Sequence, residues 1–213
     1  MTGDTLAPQR AATMSLEFTI TFYSRFRVGA AYPLDGLDAV ADLREPLPAD
    51  HVKGVMRAEA ARLLEIASGE EVSVGGSGRA CQLLSCVFGT ARNPSPWHWS
   101  EVLPKHGWAA PEVRSRVRID EETGAAQRDL LVMASATFAE SARFAVETES
   151  FTELGTPLDV QAALLRLAGR SVHHLGAWRR RGLGWVGLTT HPHQPDWEAD
   201  WQTLRAHLGM GAK

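Results

Sequence analysis

Cysteine is nearly absent from this 213-residue chain, Cys81 and Cys86 being the only two. They lie five apart in a segment of helical rhythm, a spacing unsuited to mutual bonding. They are therefore read as reduced, buried thiols rather than a disulfide or a zinc site. No run of eighteen apolar residues occurs, so no membrane-spanning helix is predicted. The opening "MTGDTLAPQRAATMS" has no apolar core of its own, which argues against a secretory signal and predicts a disordered leader over residues 1–14. The expected location is cytoplasmic. A general excess of positive charge is also missing: the net charge is −3 and the isoelectric point about 6.2. Any nucleic-acid function must then rest on local clusters rather than on overall charge. No Gly-x-Ser-x-Gly elbow and no His-Glu-x-x-His motif is found, so hydrolase and zincin readings have no support. No internal repeat of 20–50 residues is visible.

What is present reads as mixed α and β. Residues 15–29, "SLEFTITFYSRFRVG", alternate and are rich in aromatic and β-branched side chains, which predicts a strand. A Gly-, Pro- and Asp-rich loop leads to "PADHVKGVMRAEAARLLEIA", which has a helical stripe of Val52, Val55, Met56, Ala60, Leu63, Leu64 and Ala67. Asp50 is the expected N-cap and Gly69 the expected C-cap. A short helix is predicted over 80–87, and a strand edge over 101–104. Two alternating segments about the turn-forming cluster "DEETG" predict a hairpin, with room for a third strand after it. Residues 158–169 form a clean amphipathic helix, and "GLGWVGLTT" a last strand. "PDWEADWQTLRAHL" puts Trp197, Trp201, Leu204 and Leu208 on one helical face. The order predicts an α+β, ferredoxin-like (RRM-like) fold, an antiparallel sheet with helices on one face. Residues 15–190 make up this domain, and 191–213 carry the C-terminal amphipathic helix.

The long helix has an anomaly at its start. Lys53 and Arg57 oppose the helix dipole, repel each other at i,i+4, and flank Gly54, together costing about 1.5–2.5 kcal/mol. Either this end is a solvated surface that tolerates the cations, or it binds an anion. Two further basic clusters exist. Arg114, Arg116 and Arg118 alternate with apolar residues, so a strand would set three guanidiniums in one row. That row is either paired with acidic residues on a neighbouring strand or neutralised by phosphate. Residues 169–187, "GRSVHHLGAWRRRGLGWVG", compress Arg170, His173, His174, Arg179, Arg180 and Arg181 among glycines, including Gly182 and Gly184, and the tryptophans Trp178 and Trp185. Glycines admit a phosphate chain, arginines neutralise it and an indole can stack on a base. No strand precedes this stretch, no G-x-G-x-x-G opens a helix and no Gly-Lys-Ser/Thr is present, so it is neither a dinucleotide fingerprint nor a Walker loop. The alternative is a basic turn before an edge strand. Asp35, Asp38 and Asp42 could hold magnesium beside a phosphate or simply form turns. His191 and His193 lack an obvious third metal ligand, and His98 is read as part of the packing of Trp97 and Trp99.

Taken in order, "SRFRVG", "REPLPADHVKGVMRAEAARLL", "VFGT" and "HHLGAWRRRGLGWV" resemble the RAMP superfamily of CRISPR-associated proteins, in particular the RNA-binding backbone-type subunits of type III effector complexes. "RVRIDEETGAAQRDLL" is similar to the segment that leads into that family's β-hairpin thumb, here a small one. The resemblance covers residues 16–188. It implies a subunit that stacks along a crRNA guide, alone or with further copies of itself, beside other effector subunits and a complementary target RNA. It implies RNA-backbone contacts at Lys53, Gly54 and Arg57 and at the glycine-rich loop. It further implies a loop aspartate that cuts target RNA with Mg2+ or another divalent cation. "DGLDAVADLREPLP" puts Asp38 at the matching place, with Asp42 the second choice; Ala39-Val40 stand where the family has a small residue and proline. The same superfamily includes guide-processing endoribonucleases, for which His51, His173 and His174 would be the acid–base candidates, and non-catalytic capping subunits. A small-molecule enzyme on the same fold is the reading from another class.

Overall fold

The computed structural model describes residues 12–29, 41–42, 44–150, 156–191 and 196–210. Its elements follow the chain as β1 (Ala12–Phe22), α1 (Ala49–Ser68), α2 (Arg79–Phe88), β2 (Trp97–Trp99), β3 (Leu103–Pro104), β4 (Glu112–Ile119), β5 (Ala126–Ala136), β6 (Ser141–Ser150), α3 (Leu158–Ser171), β7 (Val186–His191) and α4 (Trp197–His207). The main sheet runs β2-β6-β1-β7 with antiparallel neighbours, and β3 also pairs with β6. β1 lies at its centre, because its alternating Leu16, Phe18, Ile20 and Phe22 give one fully buried face. Ala142, Phe144 and Val146 of β6 and Val186 and Leu188 of β7 extend that face, with the Phe18 and Phe144 rings stacked 5.0 Å apart. α1 and α3 cover it with Val52, Met56, Ala60, Leu64, Leu164, Leu165 and Ala168, completing one core. The α+β class with an antiparallel sheet is as predicted.

Local patterns explain most of the helices. Val52, Met56, Ala60, Leu64 and Ala67 of the stripe on α1 are buried and Val55 and Leu63 half-buried, and Gly69 closes the helix in the left-handed region, donating its N–H to the Glu65 carbonyl at 2.8 Å. At the other end the prediction fails. Pro48, not Asp50, is the N-cap: its carbonyl accepts from the N–H groups of His51 and Val52. Asp50 therefore lies inside the first turn, where its charge suits the dipole. Lys53 is the fifth residue of the helix and Arg57 the ninth, so both are beyond the turn where the dipole penalty is concentrated. The anomaly of the start shrinks to the i,i+4 repulsion and Gly54.

Other boundaries shift. β1 begins at Ala12, so three residues assigned to the leader belong to the sheet, and it ends at Phe22 rather than continuing to Gly29. β2 was not foreseen in its proline-broken surroundings; pairing with β6 makes it a strand. The third strand after the hairpin, β6, joins β1 in the main sheet and not the hairpin, which stands as a separate two-stranded sheet. Trp197 is exposed instead of facing the core, and Asp200 takes the inward position on α4. There Asp200 meets Arg166 of α3 in a bidentate pair, Nε donating to Oδ2 at 2.8 Å, which ties the two helices together. Among the described residues no helix is long and apolar enough to cross a membrane.

Candidate nucleic-acid interface

The stretch after β1, residues 23–29, is where distant parts of the chain meet. Phe26 exchanges two 2.9 Å backbone hydrogen bonds with Thr137 just past β5, anchoring the base of the β4–β5 hairpin. The glycine-rich loop docks on the same stretch: Ala177 N–H donates to the Arg27 carbonyl at 2.7 Å and Gly184 N–H to the Arg25 carbonyl at 2.8 Å. The loop closes on itself through Leu175 N–H to the Gly184 carbonyl and Val186 N–H to the His173 carbonyl. Such close backbone approach leaves no room for side chains. Gly176 and Gly184 have φ of 81° and 78°, and a Cβ on either would overlap a carbonyl, that of Arg27 or Leu175.

The loop also reaches α1. Gly176 N–H donates to His51 Nε2 at 2.9 Å. His51 must be neutral to accept it, and burial, reinforced by the Arg179 cation, lowers its pKa from the usual imidazole value. On the other side the loop meets the hairpin, where Arg116 Nη2 donates to the Arg181 carbonyl at 2.7 Å. Residues 179–181 make a single 3-10 turn, entered through Trp178 and left through Gly182, both left-handed. All three of its arginines are exposed.

The sequence-predicted residues divide into groups. Arg179, Arg180, Arg181, Gly182, Gly184, Arg116 and Arg118 come together at the loop and hairpin, with Arg116, Arg118 and Arg181 lining one open groove beside Val117 and Val132. His174 packs its ring on Trp185, 4.2 Å away. Arg114 is not a free member of the row: Glu112, two residues earlier and so on the same strand face, accepts from it at 2.9 Å and from Arg25 Nε at 2.7 Å. Lys53 lies with its Nζ 4.8 Å from the centre of the Trp99 ring, and burial lowers its pKa. Arg57 is exposed. At 100° per residue, Gly54 falls on the outward crest of α1, with His51 and the loop on one flank and Lys53 and Arg57 on the other. A Cβ on Gly54 would meet nothing within 4 Å.

Asp38, the predicted metal ligand and catalytic residue, and Asp35 and His193 lie outside the described residues. The Asp42 carboxylate accepts from the N–H groups of Arg44 and Glu45 at 2.8 and 3.3 Å, an Asx turn ahead of α1. Among the described residues no group of three His, Cys, Asp or Glu side chains could hold a metal ion.

Sequence reasoning missed Arg25 and Arg27. Both alternate within "SRFRVG", yet their role depends on the loop docking there. Arg27 lies 5.2 Å from the centre of the Trp178 ring, and Arg116 and Arg181 each lie 5.7 Å from it.

The family model of the RAMP superfamily matches residues 26–187. No curated protein sequence matches the chain. Among solved structures, a chain from the cryo-EM structure of the Type III-B Cmr-beta bound to cognate target RNA aligns with a TM-score of 0.52 and 16% identity. The alignment covers 83% of this chain and 59% of that one, so this chain spans less than two thirds of its neighbour's length. At that identity the likeness is one of fold.

Proposed function

This chain belongs to the RAMP superfamily, and from that premise we propose that it binds RNA as a subunit of a type III CRISPR effector complex. The observation that carries the reading is the glycine-rich loop's double attachment. His51 ties it to α1 and Arg116 ties it to the hairpin, so that Arg179–Arg181, the crest of α1 and the hairpin arginines border one surface. In a chain of net charge −3, such local concentration of cations suits a phosphate backbone. The fold shared with a chain of a Cmr complex bound to target RNA supports the same reading.

In this reading the RNA is a crRNA guide crossing Gly54 from the loop arginines toward Lys53 and Arg57, and a complementary target pairs with it. Other effector subunits, or further copies of this chain, extend the assembly. Asp38 is the carboxylate for a divalent metal and target cleavage, on the strength of its place in the motif ahead of α1. The test of RNA binding is direct. The purified chain should retain short RNAs, and its affinity for single-stranded RNA should fall linearly with salt on logarithmic axes. A protein that purifies free of RNA and shows no salt-dependent affinity would contradict the proposal. In an assembled complex, Asp38→Ala should abolish target cleavage and leave RNA binding intact; persistent cutting would remove Asp38 from that role.

A further inference from the structure

We propose that Trp178 gathers Arg27, Arg116 and Arg181 into a single clamp for one phosphodiester, at the junction of the hairpin and the glycine-rich loop. The inference rests on the RNA-binding reading above and deepens it. It adds Arg27, which none of the basic clusters in the sequence contains, and gives Trp178 a role other than stacking on a base.

Four observations converge. Trp178 is the one non-glycine residue with positive φ among those described, at 60°. A bulky L-residue is disfavoured there and persists only where its surroundings over-determine it. The indole so placed has three guanidinium carbons 5.2–5.7 Å from its centre. These arrive from three separate segments: the stretch after β1, strand β4 and the loop turn. None of the three is in an ion pair among the described residues, unlike Arg25 and Arg114 nearby, which both pair with Glu112.

Arg27 is the sharpest case. Its Nε is buried with no hydrogen-bond partner among the described residues. Burial lowers its pKa, and no carboxylate among the described residues offsets that. A half-buried, uncompensated cation costs stability, and gathering two more beside it costs further. The ring's negative face offsets part of that repulsion through cation–π attraction, but carries no formal charge. An anion with several oxygens would supply what is missing, and the planar guanidinium fork matches a phosphate. Because three cations already attend the indole, its role is to position arginines rather than to stack on a base.

The full-length chain can test this with two probes of equal length, an oligouridylate and an abasic oligoribose phosphate. Arg27→Gln should weaken binding of both by about tenfold or more. It should also flatten the logarithmic salt dependence by about 0.7, one phosphate contact on a single strand. Its melting temperature should hold or rise, since a half-buried cation with no ion pair among the described residues has gone. Trp178→Gly suits the left-handed backbone and so should fold, yet lose affinity for both probes as the arginines disperse; Trp178→Phe should recover part of it. Wild-type affinity and salt slope in both variants would overturn the clamp. So would a loss seen on oligouridylate alone, which would make Trp178 a base platform. A lowered melting temperature with unchanged affinity would make the cluster structural. If the unmodified chain bound neither probe, the RNA-binding reading itself would fall, and the clamp with it.

Discussion

Glycines occupy two regions of the candidate interface for opposite reasons. In the loop, Gly176 and Gly184 are demanded by the chain itself: φ is positive and a neighbouring carbonyl fills the space where a Cβ would go. On α1, Gly54 has ordinary helical geometry, and a Cβ would meet nothing within 4 Å. The helix would be about 1 kcal/mol better with alanine. The loop glycines therefore explain the fold, whereas Gly54 has no explanation inside it. The contrast separates residues that build the surface from a residue that leaves it clear for something else.

The contrast can be broken at several points. Gly184→Ala should have the largest effect, since it combines a strained φ with overlap on the Leu175 carbonyl; a loss of about 3 kcal/mol is expected in denaturant unfolding. His51→Leu should follow. It leaves the Gly176 N–H without its acceptor, at about 1–3 kcal/mol, and frees the loop from α1. A double Lys53→Glu, Arg57→Glu change should preserve the fold and weaken RNA binding by about tenfold or more, read by titration at fixed salt. Unfolding by that double change would mean the cations, including the Lys53–Trp99 contact, are structural.

The smallest effect is the dependence on pH. Folding holds His51 neutral, so its pKa is lowered relative to the unfolded chain, where it is about 6.5. Between the two values the unfolded state carries a proton that the folded state does not. The contribution of His51 is therefore fully present above about pH 6.5 and is lost as pH falls through the folded value. Melting temperatures measured across that range should decline on acidification, and less steeply in His51→Gln, whose amide oxygen can still accept from Gly176.

What could be read from the sequence was whatever depends on short spacing. The stripe on α1, its Gly69 cap, the "DEETG" hairpin turn with Asp120 accepting from Thr123 and the amphipathic α3 all follow from local periodicity or turn chemistry. The Glu112–Arg114 pair follows from spacing too, because residues two apart share a strand face, so the acid lies on the same strand and not on a neighbouring one. What was not legible depends on pairing across the chain. β2 is three residues of "WHW" that become a strand only against β6. The start of α1 turns on the Pro48 carbonyl, which no side-chain capping pattern reveals. Trp178 and Arg27 are over 150 positions apart and meet because loop glycines let two backbones touch. Asp38 could be proposed from its motif, but it lies outside the described residues.

The most direct test of the central claim is a single methyl group. Gly54→Ala should raise the melting temperature by a few degrees, about what 1 kcal/mol gives in a domain of this size. In the same preparation, affinity for single-stranded RNA should fall several-fold, because the added Cβ stands where the backbone is predicted to pass. A higher melting temperature with unchanged RNA affinity would contradict the account, leaving Gly54 with no role in the interface.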